Sequence, residues 1–334
     1  MQPYRVHLTH TFTIANRSSD SRDVVLVALE HDGLTGYGAA APNPRYGEDQ
    51  ASVLKAFEGL ALPGHLWAYS AFLDEVLPAL NDQFAARAAL DMAVMDWNGK
   101  ALNVPLYRLW GLDPQDMPLT SMTIGIDTPE VVRQKTREAS DYGVLKVKLG
   151  GEGDRLMIQA IREVSDQVIR VDANEGWHDR ETAIREIEWL AGQGIEFVEQ
   201  PMPADRFQDM VWLKARSPLP LMADESFTKS EDFPRLAEGF HGVNFKLMKG
   251  GGLQAARDTI TLARIHGLRV MLGCMIEPSV SIAAAAHLGP LADYVDLDGN
   301  LLIGNDPFVG HPVVDGGIQL RDLPGLGVLP NQPG

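Results

Sequence analysis

Two rhythms of apolar positions run along the chain. Near the N-terminus, Val24–Glu30 (VVLVALE) is a β-branched run, and Leu34–Ala40 (LTGYGAA) follows after His31-Asp32-Gly33. Asp-Gly between two such runs predicts a two-residue hairpin. From Asp49 to about Leu60 and from Ala85 to Leu102 the apolar positions recur at helical spacing. Phe84, Ala88, Leu90, Met92, Ala93 and Trp97 predict a well-buried helix. Strands followed by helices predict an α+β segment.

From about Leu119 the rhythm changes to short apolar runs separated by helical stretches. The runs are MTIGI (122–126), VLKVK (144–148), VIRVD (168–172), IEFVE (195–199), PLMAD (220–224), GVNFK (242–246), RVMLG (269–273) and YVDLD (294–298), and their last residues are 22 to 27 apart. That spacing holds one strand and one helix, so eight such runs predict a parallel α/β barrel. The stretch from Asp315 to Gly334 is rich in Gly and Pro and is expected to return over the first segment.

Composition narrows the function classes. The chain has 334 residues, 29 Lys plus Arg and 45 Asp plus Glu, for a net charge of −16. Such a chain repels polyanions, so nucleic acid and anionic membrane are not expected partners. Hydrophobic residues make up 45% and charged residues 22%, which is ordinary for a globular chain. One cysteine, Cys274, excludes an internal disulfide framework. The N-terminus has no apolar core of signal type and the longest apolar stretch is too short for a bilayer, so a cytoplasmic location is expected.

The candidate chemistry lies where the barrel runs end. Six of the eight finish on a charged residue: Lys148, Asp172, Glu199, Asp224, Lys246 and Asp298. In a parallel barrel all these ends face one mouth, where active sites are built. Asp172, Glu199 and Asp224 bring three hard oxygen donors to a common centre, with no His or Cys at equivalent positions. That set suits Mg²⁺ or Mn²⁺ rather than Zn²⁺. Lys146 and Lys148 are two apart on a strand and share a face. Crowding by like charge and burial is expected to lower their pKa values toward a useful range. Lys246 faces Lys148 across the mouth. One lysine on each side of a bound carbon acid suits two-base epimerisation.

These residues resemble the enolase superfamily, in its muconate lactonizing enzyme subgroup. The resemblance rests on Lys-Val-Lys (146–148), Val-Asp-Ala-Asn-Glu-Gly-Trp (171–177), Val-Glu-Gln-Pro (198–201), Ala-Asp-Glu-Ser (223–226) and Asn-Phe-Lys-Leu-Met-Lys-Gly-Gly (244–251). It implies an α+β capping domain over a modified (β/α)₇β barrel. The expected division is a cap of residues 1–120, joined by the tail 315–334, and a barrel of residues 121–314. It also implies Mg²⁺ on Asp172, Glu199 and Asp224, with Lys148 and Lys246 as the acid/base pair. Lys146 would stabilise the enediolate oxygen and tune Lys148. Enolase-type sites pair a Lys or His base with one or two Mg²⁺ ions. The seventh run, RVMLG, lacks the His base of the mandelate racemase subgroup.

The eighth run narrows the reaction. Asp296 and Asp298 share a face and together would bind a substrate ammonium. A muconate or an N-acylated amino acid has none, whereas a dipeptide has one at its N-terminus. Val-Asp-Leu-Asp-Gly (295–299) resembles the dipeptide epimerases. So do the stretches 273–277 and 283–287. Arg17 falls where L-Ala-D/L-Glu epimerases carry an arginine for the acidic side chain, while Asn16 and Pro278 depart from their pattern. The expectation is a homo-oligomeric dipeptide epimerase acting on the C-terminal residue of a small dipeptide, L-Ala-D/L-Glu among them. The alternatives are an N-acylamino acid racemase, an o-succinylbenzoate synthase, a muconate cycloisomerase, or a catalytically silent binding protein on the same fold. Glu225 and Asn174 are expected beside the metal ligands, Lys249-Gly250-Gly251-Gly252 in a tight turn, Cys274 as a small packed residue, and Trp177 and His178 in a loop or helix cap.

Overall fold

A computed structural model describes residues 1–14, 17–64, 66–227 and 232–331, without the side chains of residues 14 and 17. The first sheet is antiparallel, in the order β1 (Gln2–Ile14), β2 (Arg17–His31), β3 (Leu34–Ala40). Asp32 and Gly33 both take positive φ, 46° and 74°, as the Asp-Gly turn requires. The inner face of this sheet is packed by the helix Phe84–Leu102, whose residues are buried almost all round. Close approach depends on two glycines of β3. A Cβ on Gly36 would collide with Ala93 O, and one on Gly38 with Ala89 O.

Eight parallel strands follow: β4 (Ser121–Ile124), β5 (Val144–Lys148), β6 (Val168–Asp172), β7 (Ile195–Glu199), β8 (Leu221–Ala223), β9 (Gly242–Lys246), β10 (Arg269–Gly273) and β11 (Tyr294–Asp296). They pair in chain order. A parallel bridge from Thr120 to Val295, with Leu297 N–H donating to Thr120 Oγ1 at 2.9 Å, brings the last strand back to the first. A helix lies in each of the seven crossovers, and none of that kind follows β11 before the short strand pairs of the tail. This is a modified (β/α)₇β barrel beneath a separate antiparallel cap.

Three differences from expectation concern element ends. β1 lies in a stretch for which no strand was anticipated. The first helix covers Gln50–Ala56, with Gly59 at φ 71°, and so ends before Leu60. β8 and β11 stop at Ala223 and Asp296, so Asp224 and Asp298 lie just past the strand ends.

Side-chain alternation explains how the barrel gathers its carboxylates at the level of the mouth. Two residues before the inward positions at the mouth (Asp172, Glu199, Asp224, Gly273 and Asp296) stand Arg170, Phe197, Met222, Met271 and Tyr294. Phe197, Met222, Met271 and Tyr294 form their own buried cluster, and Arg170 lies over the Phe197 and Tyr294 rings. This layer fills the barrel below the mouth, and the next inward positions carry the charged groups. Asp91 and Asp96, buried in the cap helix, fasten cap to barrel and tail. Asp91 accepts from Leu253 N–H at 2.6 Å and Asp96 from Leu326 N–H at 2.8 Å. Among the described residues no helix is long and apolar enough to cross a membrane.

Candidate active site

Strand register sets the charged groups at one height. Lys148 pairs with Asp172, Asp172 with Glu199, and Gly273 with both Lys246 and Asp296. Asp172, Glu199 and Asp224 are buried, and one carboxylate oxygen from each lies within 4.8 Å of the others. All the donors are hard oxygens, which fits Mg²⁺ or Mn²⁺.

Four lysines neutralise this cluster. Lys148 Nζ is 2.6 Å from Asp172 Oδ2, and Lys246 Nζ is 2.8 Å from Asp224 Oδ2. Lys146 Nζ sits among Glu199 Oε2 at 2.7 Å, Asp296 Oδ2 at 2.7 Å and Asp172 Oδ2 at 3.2 Å. Lys249, in the short helix after β9, bonds Asp224 Oδ1 at 2.5 Å and the Asp224 carbonyl at 2.7 Å. Lys148 and Lys246 stand on the second and sixth strands of an eight-strand ring, hence on opposite sides of it.

Burial pushes all three carboxylates up. At Asp172 the charges of Lys148 and Lys146 overcome that effect, and at Asp224 those of Lys246 and Lys249 do. At Glu199 burial and the charge of Asp172 win, raising it to about 7. The expectation of a lowered value is reversed for Lys146, and Lys246 is raised in the same way. Burial lowers Lys146 and Lys246, but the surrounding carboxylates, Asp296 foremost at Lys146 and Asp224 at Lys246, hold both well above the ordinary lysine value. Like charges lie close here, but opposite charges lie closer.

Asn174 and Glu225 lie beside the ligands as expected, and Asn244 and Gln200, which were not singled out, help to hold them in place. Asn244 Nδ2 donates to Glu199 Oε1 at 2.7 Å, and Asn174 N–H donates to Asp172 Oδ1 at 2.9 Å. Gln200 Oε1 accepts from the backbone of both Asp224 and Ser226 at 3.0 Å. Asn174, Glu175 and Gln200 all take positive φ, between 35° and 65°. Such backbone strain in non-glycine residues concentrates at functional sites. Glu225, beside Asp224, accepts from Asn174 Nδ2 at 3.2 Å and is raised to about 8 by burial and the charge of Asp224.

Asp224 borders a cavity of about 280 Å³ between barrel mouth and cap. The barrel contributes Lys146, Lys148, Lys246, Asp296 and Asp298. The cap contributes Phe12, Arg22 and the turn Pro44–Tyr46. Arg45 in that turn reaches Glu175 of the barrel at 2.7 Å. Asp296 and Asp298 both line the cavity but differ in setting. Asp296 accepts from Ser121 Oγ at 2.6 Å and Lys146 Nζ at 2.7 Å, and Lys146 overcomes burial to hold it at about 2. Asp298 begins a 3₁₀ turn, accepts from Thr123 N–H at 2.7 Å, and is pushed up to about 6 by burial and the charge of Asp296. Arg17 opens β2, but its side chain lies outside the described residues.

Gly251 and Gly252 take positive φ after Lys249, which is a tight turn. Cys274 lines the cavity half-buried, its thiol raised by desolvation and by the charges of Asp298 and Asp296. Trp177 donates its indole N–H to Asp154 at 3.1 Å, away from the triad.

Residues 3–111 match the mandelate racemase / muconate lactonizing enzyme N-terminal domain, and residues 130–333 match the enolase C-terminal domain-like family. The chain belongs to the enolase superfamily. An L-Ala-D/L-Glu epimerase of Bacteroides thetaiotaomicron is 45% identical over 98% of this chain and 86% of its own. An L-Ala-D/L-amino acid epimerase of Pedosphaera parvula is 42% identical over 96% of this chain and 95% of its own. A crystal structure of a dipeptide epimerase from Methylococcus capsulatus, in complex with Mg and L-Arg-D-Lys, superposes with a TM-score of 0.90. It is 34% identical and covers 98% of each chain. This enolase-superfamily chain is an isomerase of the racemase and epimerase type, and its fold is that of its structural neighbours.

Proposed function

We propose that this chain epimerises dipeptides, inverting the α-carbon of the C-terminal residue. Its working parts are a cap of residues 1–120 joined by the tail 315–334, and a barrel of residues 121–314. The observation that carries the reading is Asp298. Its carboxyl lies at the mouth and is partnered by neutral groups of Thr123. A buried carboxyl kept partly protonated by burial and a neighbouring anion gains strongly from an incoming cation. The N-terminal ammonium of a dipeptide is such a cation. N-acylated amino acids and muconates offer none, which places those alternatives second.

Asp172, Glu199 and Asp224 would hold Mg²⁺ or Mn²⁺. The ion, when bound, supplies fixed positive charge against the negative charge that develops as the α-proton leaves a carboxylate-bearing carbon. Lys148 as the free amine takes the α-proton from one face. Lys246 as the ammonium delivers a proton to the other, and the roles exchange in the reverse direction. Lys146 stays charged and faces the carboxylate side of the substrate. Arg17 would read an acidic C-terminal side chain through a bidentate contact. The relatives differ on that side chain, since one is named for Glu and one for amino acids at large.

The test is ¹H NMR in D₂O over a library of L-Ala-L-Xaa dipeptides with Mg²⁺ present. The expected result is loss of the C-terminal α-proton signal and growth of the second diastereomer. Exchange of N-acylamino acids with none of dipeptides would overturn the reading. Equal turnover of apolar dipeptides with none of Ala-Glu would remove the role given to Arg17.

A further inference from the structure

The carboxylate of Glu175 joins three segments of the chain. It follows β6 in the loop that carries Asp172 and Asn174, at φ 65°. Its Oε2 is 2.7 Å from Arg45 Nη1, and its Oε1 accepts from Arg45 Nη2 at 3.0 Å and from Ala204 N–H at 2.8 Å. Ala204 lies in the loop after β7, past Glu199, and Arg45 lies in the cap turn Pro44–Tyr46. We propose that Arg45 and Glu175 are positioning residues: their ion pair ties the cap turn to the barrel loops and fixes the cavity wall on the Lys246 side. The tie rests on geometry alone; its bearing on Lys246 rests on the two-lysine reading.

Exposed ion pairs usually contribute little. This one is two-pronged, and its carboxylate is only 14% exposed and also closes a backbone N–H. A guanidinium fork on a carboxylate fixes direction as well as distance. Glu175 is itself held, since its N–H donates to the Gln200 carbonyl at 2.9 Å. The turn is shaped to present Arg45. Asn43 Oδ1 accepts the Arg45 N–H at 3.1 Å, and Gly47 ends the turn at φ 76°. Behind it Glu48 accepts from Ala85 N–H at 3.1 Å, which fastens that end to the cap helix. Two other polar contacts from this stretch to the barrel end on sulfur, Ala41 N–H on Met248 at 3.2 Å and Asn43 Nδ2 on Met275 at 3.8 Å. Thioether sulfur is a weak acceptor, so the ion pair is the strong link.

Pro42, Asn43, Pro44, Arg45 and Tyr46 all line the cavity. Burial and the charge of Asp224 raise the Tyr46 hydroxyl, and the charge of Lys246 opposes them. Asp224 and Lys246 belong to the β8–β9 side of the ring, so the tied wall stands there. Cys274, just past β10, lines the same cavity. Freed from Glu175, the turn no longer holds that wall, and Cys274 is reached more readily.

Cys274 is the single cysteine, so its labelling in the full chain reads the cavity without turnover. The probe is dithiodipyridine at mildly alkaline pH. Arg45→Met and Glu175→Gln should each raise the labelling rate by about fivefold or more. Arg45→Lys keeps the charge but not the fork and should raise it less. Removing a cation and removing an anion shift thiol ionisation in opposite directions, so a rise in both variants marks the tie. The double variant should label no faster than either single, because both singles break one interaction. A second arm follows α-proton exchange in D₂O with L-Ala-L-Glu or L-Ala-L-Leu, whichever the unaltered enzyme turns over faster. Both singles should slow the diastereomer served by Lys246, identified with Lys148→Ala, by about fivefold, and the other by less than about twofold. Unchanged labelling, opposite changes in the two singles or an additive double overturns the tie. Equal slowing of both diastereomers overturns its placement beside Lys246. Should Glu175→Gln not fold, Arg45→Met decides, since Arg45 is 40% exposed on a turn. An unaltered enzyme that turns over neither dipeptide defeats the two-lysine reading, while the labelling still decides the tie.

Discussion

Asp91, in the middle of the cap helix, accepts the backbone N–H of Leu253 at 2.6 Å and so closes the N-terminus of the barrel helix Leu253–Ile265. Tyr69 OH bonds the same carboxyl at 2.6 Å. A cap residue thus completes a barrel element. Asp91→Ala leaves buried donors without an acceptor, which costs about 3 kcal/mol. Urea unfolding followed by far-UV circular dichroism should show the midpoint fall. A midpoint equal to that of the unaltered chain would mean the fastening carries no stability.

Two buried histidines make the protein acid-sensitive. His287 accepts from Tyr107 N–H and His311 from Arg321 N–H, both at 3.2 Å, and their rings meet edge-on at 5.3 Å. Burial lowers His287 to about 4, and burial with His287 lowers His311 to about 3. Both folded values lie below the ordinary 6.5, so the unfolded chain takes up protons first. Stability is full above about pH 6.5 and falls as pH drops toward 4. The loss at pH 5 is on the order of 2 kcal/mol per histidine. Thermal melts at pH 7.5 and 5.0 should show a drop that His311→Gln reduces. An equal drop in both proteins would exclude the pair as the cause.

The opposed lysines predict a stereochemical split. Lys148→Ala and Lys246→Ala should each cut epimerisation by about 10²–10⁴-fold, the usual contribution of a positioned acid or base. Each single variant should retain α-proton exchange in D₂O with only one of the two substrate diastereomers. The double variant should exchange neither. Exchange of both diastereomers by either single variant would rule out one lysine per face.

Glu199 is positioned from outside its own strand. Asn244 holds it at 2.7 Å, and a Cβ on Gly273 would collide with Asn244 Oδ1. Gly273→Ala should therefore push Asn244 aside and weaken Mn²⁺ binding by about tenfold or more, as loss of an outer-shell partner does. Electron paramagnetic resonance titration with Mn²⁺ measures this without turnover. Glu199→Gln should weaken binding further, and Gly273→Ala with unaltered Mn²⁺ affinity would show that the site tolerates the shift.

The barrel was legible because a strand buried on both faces writes a short, mostly apolar run, and because six of the eight runs end on a charged residue. Asp172, Glu199, Lys148 and Lys246 were read correctly as strand ends for that reason. Asp224 and Asp298 lie one and two residues beyond their strands, a boundary that hydrophobicity alone does not mark. β1 escaped notice because its apolar residues Tyr4, Val6, Leu8 and Phe12 alternate with polar ones, a period-two signal diluted by His and Thr. Ser121 has no local signature, and Gln200, Asn244 and Lys249 lie in the quoted motifs without any sign of which partner each would hold. Each acts on a partner from another element, a relation visible only once register is known. The reversed shift of Lys146 has the same origin, since sequence showed Lys146 beside Lys148 but not Asp296 across the seam.

The layer of Arg170, Phe197, Met222, Met271 and Tyr294 has a consequence for isotopes. If Lys148 and Lys246 relay the α-proton as proposed, the packed floor leaves their hydrons to trade with bulk water through the doorway that the substrate itself would fill. A lysine that had just received a substrate hydron would then keep it in a pool of three until that doorway clears. The label on product therefore records dwell time as well as chemistry.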